Sequence, residues 1–197
     1  MTANSAHIAR PPEAFCHPQT DGALPEPTPT PASAATGRVG ASASILAVDP
    51  GTLESGWVIF SGRRVVESGV SSNADTLARV AAWPHALAVE MIASYGMPVG
   101  REVFETCVWI GRFVQAYRDS SLAQLVYRKD VKLHLCGTSR AKDPHIRQAL
   151  IDLIGPQGVK KAPGPTYGVK SNAWAALGVA VTAMKLQREA IAPELPL

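Results

Sequence analysis

The sequence is poor in cysteine and has no long apolar run. The three cysteines, Cys16, Cys107 and Cys136, are widely spaced and form no C-x-x-C pair. This pattern argues against a disulfide framework or a zinc knuckle and is typical of the reducing cytoplasm. The sequence contains no run of about 18 apolar residues, so it predicts no transmembrane helix. The N-terminus has no apolar stretch of the kind found in secretory signals. We therefore expect a cytoplasmic protein with no membrane partner.

Large apolar residues are also scarce over the first 44 positions. Seven of the 16 prolines fall before residue 45, among Ala, Ser, Thr and Gly. Such a segment buries too little apolar surface to offset the entropy lost on ordering. We expect a disordered Pro/Ala/Thr-rich leader over residues 1–44 and a flexible tail over residues 191–197. Residues 45–190 then form the folded domain, and about 150 residues suffice for one core.

The formal net charge of +3 conceals a local excess of positive charge. Residues 126–170 contain nine Lys or Arg against three Asp. A segment with this imbalance is typical of a surface that faces a polyanion such as nucleic acid. The alternative is a solvated basic surface with no such partner.

Hydrophobic patterning predicts five strands and four helices. Short apolar runs bounded by turn residues indicate strands at 44–48, 56–60, 65–70, 86–90 and 124–127. Helical spacing or favourable helix starts indicate helices at 75–82, 101–117, 144–154 and 171–188, with a loop over 155–168. Three hairpin-linked strands followed by βα units predict a mixed α/β sheet with helices packed on it.

Two acidic residues end separate buried strands. Asp49 closes Leu46-Ala47-Val48-Asp49 before a Pro-Gly turn, and Glu90 closes Leu87-Ala88-Val89-Glu90. Ligands in open α/β sheets bind at the carboxyl ends of strands. If these strands are neighbours, the two carboxylates converge and need a shared proton or a cation between them. A hard divalent cation is the simplest partner. The alternative is that each acid caps nearby backbone.

Four segments, taken in order, resemble RuvC-type Holliday junction resolvases, which belong to the RNase H-like superfamily of nucleases. The first is Ile45-Leu46-Ala47-Val48-Asp49-Pro50-Gly51-Thr52 with Ser55-Gly56-Trp57, and the second is Ala88-Val89-Glu90. The third is Val131-Lys132 with Arg140-Ala141-Lys142, and the fourth runs from Gly168 to Thr182. The resemblance spans residues 45–185 and is closest to phage-encoded RuvC-like proteins.

The resemblance implies a five-stranded RNase H-like fold with helices on both faces and metal-dependent cleavage of branched DNA, such as Holliday junctions. Two Mg²⁺ ions about 3.5–4 Å apart would activate water and stabilise the leaving oxygen, and Mn²⁺ could replace them. The expected partners are junction DNA and a second copy of the chain. The implied catalytic and metal-binding residues are Asp49, Glu90 and Asn172. The implied DNA-binding residues are Lys132, Arg140, Lys142 and Lys170.

The last segment departs from the family pattern, which has acids, or a His and an acid, where this chain has Asn172 and Ala175. Asn172 offers a carbonyl oxygen without charge. Glu54, Glu102 and Glu105 are possible substitutes. A second hypothesis is therefore an impaired member of the fold that binds structured DNA without cutting it. A third is an ATP-binding protein of the actin and sugar-kinase type, although about 150 residues leave no room for its duplicated domain.

Overall fold

The sheet of this protein has five strands in a mixed arrangement, as the sequence predicts. The computed structural model describes residues 44–191. The strands are β1 (Ile45–Asp49), β2 (Glu54–Phe60), β3 (Val65–Ser72), β4 (Ala86–Met91) and β5 (Gln124–Tyr127). Their spatial order is β3-β2-β1-β4-β5. The β1–β2 and β2–β3 pairs are antiparallel, whereas β4 pairs in parallel with β1 and with β5.

Within residues 44–191 five helices accompany the sheet, one more than the sequence predicts. They are α1 (Asn73–Ala82), α2 (Arg101–Ala116), α3 (Arg128–Cys136), α4 (Asp143–Ile154) and α5 (Ala173–Ile191). A 3₁₀ turn at Ser120–Leu122 precedes β5. The unpredicted helix, α3, is short and largely charged, so its apolar stripe is weak. Gly137, with φ of +67°, ends it in the left-handed conformation common at helix ends.

The segment predicted as a loop over 155–168 contains a small hairpin. Its strands are β6 (Gly158–Val159) and β7 (Ala162–Pro163). The predicted leader over 1–44 and tail over 191–197 lie outside the described residues, apart from Ser44 and Ile191, which is the last residue of α5. Between residues 44 and 191, no helix combines the length and apolar character needed to cross a membrane.

Helices cover both faces of the sheet because the central strands are apolar on both sides. Ile45 and Ala47 of β1 point to the same face as Ala88 of β4 and pack in one buried cluster with α3, α4 and α5. Leu46 and Val48 point to the opposite face and pack with α1 and α2. Side chains alternate along a strand, so Asp49 and Glu90 belong to the α5 face.

Helix α5 lies very close to the sheet where it approaches the ends of β1 and β2. A Cβ atom added at Gly56 of β2 would fall 2.5 Å from the carbonyl carbon and oxygen of Asn172, the residue just before α5. Farther along the helix, a Cβ at Gly178 would fall 2.9 Å from Val131 of α3. The absence of a side chain at Gly56 therefore allows Asn172 to lie directly against the edge of the sheet.

We expect Gly56→Ala to lower the free energy of unfolding by about 1–3 kcal/mol, because backbone atoms must move to admit the methyl group. Urea denaturation measures this change. Gly111→Ala is the matched control, since Gly111 is an exposed residue of α2 with open space around its Cβ position. Alanine there should raise stability by about 0.5–1 kcal/mol. Equal effects at the two glycines would contradict the close approach of α5.

Candidate active site at the carboxyl ends of the strands

The parallel pairing of β1 and β4 brings the two predicted acids together. Val48 lies opposite Val89, so the residues that follow them, Asp49 and Glu90, stand side by side at the carboxyl ends of their strands. Both point to the α5 face of the sheet. Only 5% of Glu90 is exposed, and Asp49 is partly buried. The sheet thus places two acidic groups in contact in a poorly solvated position.

The electrostatics of this pair favour retention of a proton. Burial, and next the adjacent charge of Asp49, raise the pKa of Glu90 from 4.5 to about 8. Burial also raises the pKa of Asp49 to about 6, against the lowering effect of its hydrogen bond with Glu90. Two adjacent carboxyl groups with raised pKa values either share a proton, or both ionise and bind a cation between them.

A guanidinium group contacts this pair from the next strand. Arg128 directly follows β5, which lies beside β4, and opens α3. Its Nη1 lies 3.3 Å from Oε2 of Glu90, and its Nη2 lies 2.5 Å from Oδ1 of Asp143, the first residue of α4. Burial alone would lower the pKa of Arg128, but the charges of Glu90 and Asp143 outweigh it and raise that pKa. Arg128 therefore carries a positive charge between two carboxyl groups.

A cavity of about 140 Å³ opens beside these groups. Asp49, Arg128 and Asp143 line it together with Asn172 and Ala175, the two positions where the sequence departs from the family pattern. Asn172 caps α5, since its backbone carbonyl oxygen accepts hydrogen bonds from the backbone N–H groups of Ala175 and Ala176. The structure therefore brings the predicted residues Asp49, Glu90 and Asn172 to one place, while their catalytic roles remain predictions.

The donor set suits a hard divalent cation, because it consists of carboxylate and amide oxygens. Within residues 44–191, no three His, Cys, Asp or Glu side chains come close enough together to form a metal-binding group. The suggested substitutes Glu54, Glu102 and Glu105 therefore do not complete the site. Two carboxylates, Asp49 and Glu90, together with the side-chain carbonyl oxygen of Asn172, provide enough ligands for one ion rather than two.

The predicted DNA-binding residues spread over the surface around this cavity. Lys132 shares a second cavity, of about 360 Å³, with Arg128, Lys129, Tyr95 and Ser139. Lys142 directly precedes Asp143 at the start of α4, and Arg140 is exposed in the turn between α3 and α4. Lys170 lines a separate groove with Gln157 and Tyr167. Arg128 lines both the cavity that contains Lys132 and the cavity of about 140 Å³ beside Asp49, so the basic surface around Lys132 adjoins the carboxyl pair.

Sequence reasoning missed Arg128 and Asp143 as members of the site. Arg128 stands at the carboxyl end of the fifth predicted strand, which is the same kind of position that singled out Asp49 and Glu90. That position could have identified it. No local pattern indicates Asp143, because it reaches the site only through the packing of α4 beside α3 and α5.

Comparison with known proteins identifies the fold. A Thermus thermophilus RuvC in complex with Holliday junction substrate aligns with a TM-score of 0.57 and 19% identity, over 75% of this chain and 96% of that chain. Another Thermus thermophilus RuvC structure aligns with a TM-score of 0.55 and 18% identity, over the same shares of the two chains. This chain has a RuvC-like fold. No protein-family model and no curated protein sequence matches it.

The RuvC-like fold confirms the predicted RNase H-like architecture, with its five-stranded mixed sheet and helices on both faces. An identity of 18–19% with these structures supports a shared fold but not a shared activity, which has to be inferred from the site.

The raised pKa of Glu90 predicts a pH-dependent stability in the presence of EDTA. The folded protein keeps a proton on Glu90 up to about pH 8, whereas the unfolded chain loses it near the ordinary value of 4.5. The free energy of unfolding should therefore fall as the pH rises between these values, by up to about 1.4 kcal/mol per pH unit. Chemical denaturation at a series of pH values measures this slope.

The variant Glu90→Gln should flatten this pH dependence between about pH 6 and 8, where Asp49 is already ionised, because the amide does not titrate. The control is Glu105→Gln, which removes an exposed carboxylate paired with Arg101 and should keep the wild-type slope. A wild-type slope in Glu90→Gln would show that Glu90 is not the titrating group.

Proposed function

We propose that this protein is a divalent-metal-dependent endonuclease that hydrolyses phosphodiester bonds in branched DNA such as Holliday junctions. The observation that carries the proposal is the pair of adjacent carboxyl groups, Asp49 and Glu90, near the carboxyl ends of neighbouring parallel strands. The RuvC-like fold supports the same class of activity, since one of the similar structures is a RuvC bound to Holliday junction substrate. Roles in recombination, repair or phage DNA processing, and a cytoplasmic location, remain predictions.

In this proposal Asp49 and Glu90 bind Mg²⁺ through their carboxylates, and Asn172 contributes its side-chain carbonyl oxygen. Bound Mg²⁺ or Mn²⁺ would activate a water and stabilise charge on the leaving oxygen. The protein's own part is to hold the ligands and to keep the site poorly solvated, which strengthens electrostatic interactions within it. A pair of ions requires further negative charge, which the DNA phosphate itself supplies.

The basic surface around Lys132 is the proposed path of the DNA backbone. Lys132, Lys129 and Arg128 surround one cavity, and the exposed Tyr95 lies there with its ring 5.9 Å from the ammonium of Lys129. Lysine and arginine bind phosphates by charge, while an exposed aromatic ring can stack on an unpaired base. Arg140, Lys142 and Lys170 extend the positive surface. Binding should therefore weaken steeply as the salt concentration rises.

The direct test of the nuclease proposal is Asp49→Asn, which removes one metal-binding charge and keeps the shape of the side chain. Wild type should nick a labelled four-way junction in Mg²⁺ or Mn²⁺ and stop in EDTA. Asp49→Asn should lose at least about a hundredfold in rate, in line with the removal of a group that stabilises the transition state. Its junction affinity in EDTA should match that of wild type. Equal cleavage by the two proteins would refute the proposal.

The second candidate function is junction binding without cleavage. Asn172 and Ala175 favour it, because both line the cavity and neither carries a charge. It predicts salt-sensitive junction binding by wild type and no metal-dependent cutting. The double variant Asn172→Asp with Ala175→Asp should then gain cleavage. Failure of this variant to gain either cleavage or metal affinity would count against the idea of a decayed site.

The proposed assembly is a homodimer that uses the outer face of α2. This helix buries Thr106, Ile110 and Phe113, while Phe104 and Val108 are 62% and 53% exposed. The two exposed residues lie one helical turn apart and so form one apolar patch. A twofold pair joined through a self-complementary patch would match the twofold shape of a four-way junction.

We expect Val108→Glu to convert a dimer of the full chain into a monomer, because the interface would bury an unpaired charge. Light scattering after size-exclusion chromatography measures the mass of the particle. The matched control is Val66→Glu, at a residue of β3 that is 56% exposed, which should leave the dimer intact. A wild-type particle with the mass of one chain would contradict the proposed assembly.

A further inference from the structure

Arg128 occupies the place where a cation is needed. Its guanidinium contacts Glu90 through one nitrogen and Asp143 through the other, so the two carboxylates meet across a single positive group. Only 25% of its side chain is exposed, and 6% of that of Glu90. The pair is therefore shielded from the solvent screening that makes most surface ion pairs weak.

The cavity shows why this contact matters for access to the site. Asp49, Arg128 and Asp143 line the cavity of about 140 Å³, whereas Glu90 does not. Glu90 instead contacts Asp49 on one side and the guanidinium on the other. A cation that binds both Asp49 and Glu90 must therefore compete with Arg128 for the Glu90 carboxylate.

Asp143 gives the competition a second component. It is 77% exposed at the start of α4, and its carboxylate is directed onto Arg128. If the guanidinium leaves, Asp143 becomes a free carboxylate on the wall of the cavity that also contains Asp49 and Asn172. The cavity would then offer a third acid, although the Asp143 side chain would have to move to reach the pair, because among residues 44–191 no three acidic side chains form a metal-binding group as they stand.

We propose that Arg128 is an internal counterion that competes with the divalent cation for Glu90 and Asp143, so that metal binding requires the guanidinium to leave both carboxylates. This inference rests on the proposed function, because it concerns the same metal site. It assigns Arg128 a regulatory role, in which the side chain sets the metal affinity of the site. It assigns Asp143 the role of a reserve ligand that is released when Arg128 moves.

The test measures Mn²⁺ binding to the full chain without DNA, by the loss of the free-ion signal in electron paramagnetic resonance. Arg128→Gln should bind Mn²⁺ more tightly than wild type, on the order of tenfold, as expected for a coupling between two competing cations. Arg128→Lys keeps the charge and should stay close to wild type. Adding Asp143→Asn to Arg128→Gln should remove a large part of the gain.

The matched control is Arg147→Gln. Arg147 also lines the cavity, but it lies over the ring of Trp174 and donates a hydrogen bond to Gln157. Its loss changes the net charge by the same amount, so it measures the general effect of removing one positive charge. An equal gain in Arg147→Gln and Arg128→Gln, or no gain in a folded Arg128→Gln, would overturn the inference. Cooperative thermal unfolding in EDTA establishes that each variant is folded.

A measurement on wild type covers the case in which Arg128→Gln fails to fold. Mg²⁺ is titrated into ¹⁵N-labelled protein, and the Nε resonance of Arg128 is assigned by its disappearance in Arg128→Lys. The resonance should shift as Mg²⁺ binds, while that of Arg147 should shift much less. An unchanged Arg128 resonance at saturating Mg²⁺ would overturn the inference. Failure of the proposed function would instead appear as absence of junction cleavage in every variant, whatever their Mn²⁺ affinities.

Discussion

Two carboxyl groups in contact at a poorly solvated edge of a sheet require a compensating charge or a shared proton. This constraint organises the whole site. Parallel pairing of β1 with β4 places Asp49 beside Glu90, and the parallel partner on the other side, β5, delivers Arg128 to the same edge. Three neighbouring strands thus place an acid, an acid and a base at or next to their carboxyl ends. The sheet topology therefore brings two acidic groups together and also places a compensating positive charge beside them.

The same constraint explains why helix α5 matters even though it contributes no acidic side chain to the site. Its start lies so close to β2 that Gly56 has no room for a Cβ atom, and this contact holds Asn172 at the wall of the cavity. A carboxylate there would add a third negative charge beside the pair. In this chain the third carboxylate, Asp143, comes from α4 and is already paired with Arg128. Without a bound cation, and with a proton on Glu90, the charges of Asp49, Asp143 and Arg128 leave the site with a net charge of about −1.

Much of the fold follows from local sequence patterns, because apolar runs bounded by turns determine each strand of the sheet. The convergence of Asp49 and Glu90 also follows, since both acids end buried strands and parallel strands end at one edge. Helix α3 does not follow, because its short charged sequence has little apolar periodicity. The role of Asp143 does not follow either, since it depends on how α4 packs near Arg128, which is a tertiary contact between residues 15 positions apart.

The central claim is that Asp49 and Glu90 form a metal site in which Arg128 provides part of the compensating positive charge when no cation is bound. The most direct measurement is anomalous diffraction from crystals of the protein soaked in Mn²⁺. The account predicts a Mn²⁺ peak within bonding distance of carboxylate oxygens of both Asp49 and Glu90, with the Arg128 guanidinium moved away from Glu90. No peak at this pair under saturating Mn²⁺, with Arg128 still bound to Glu90 and Asp143, would contradict it.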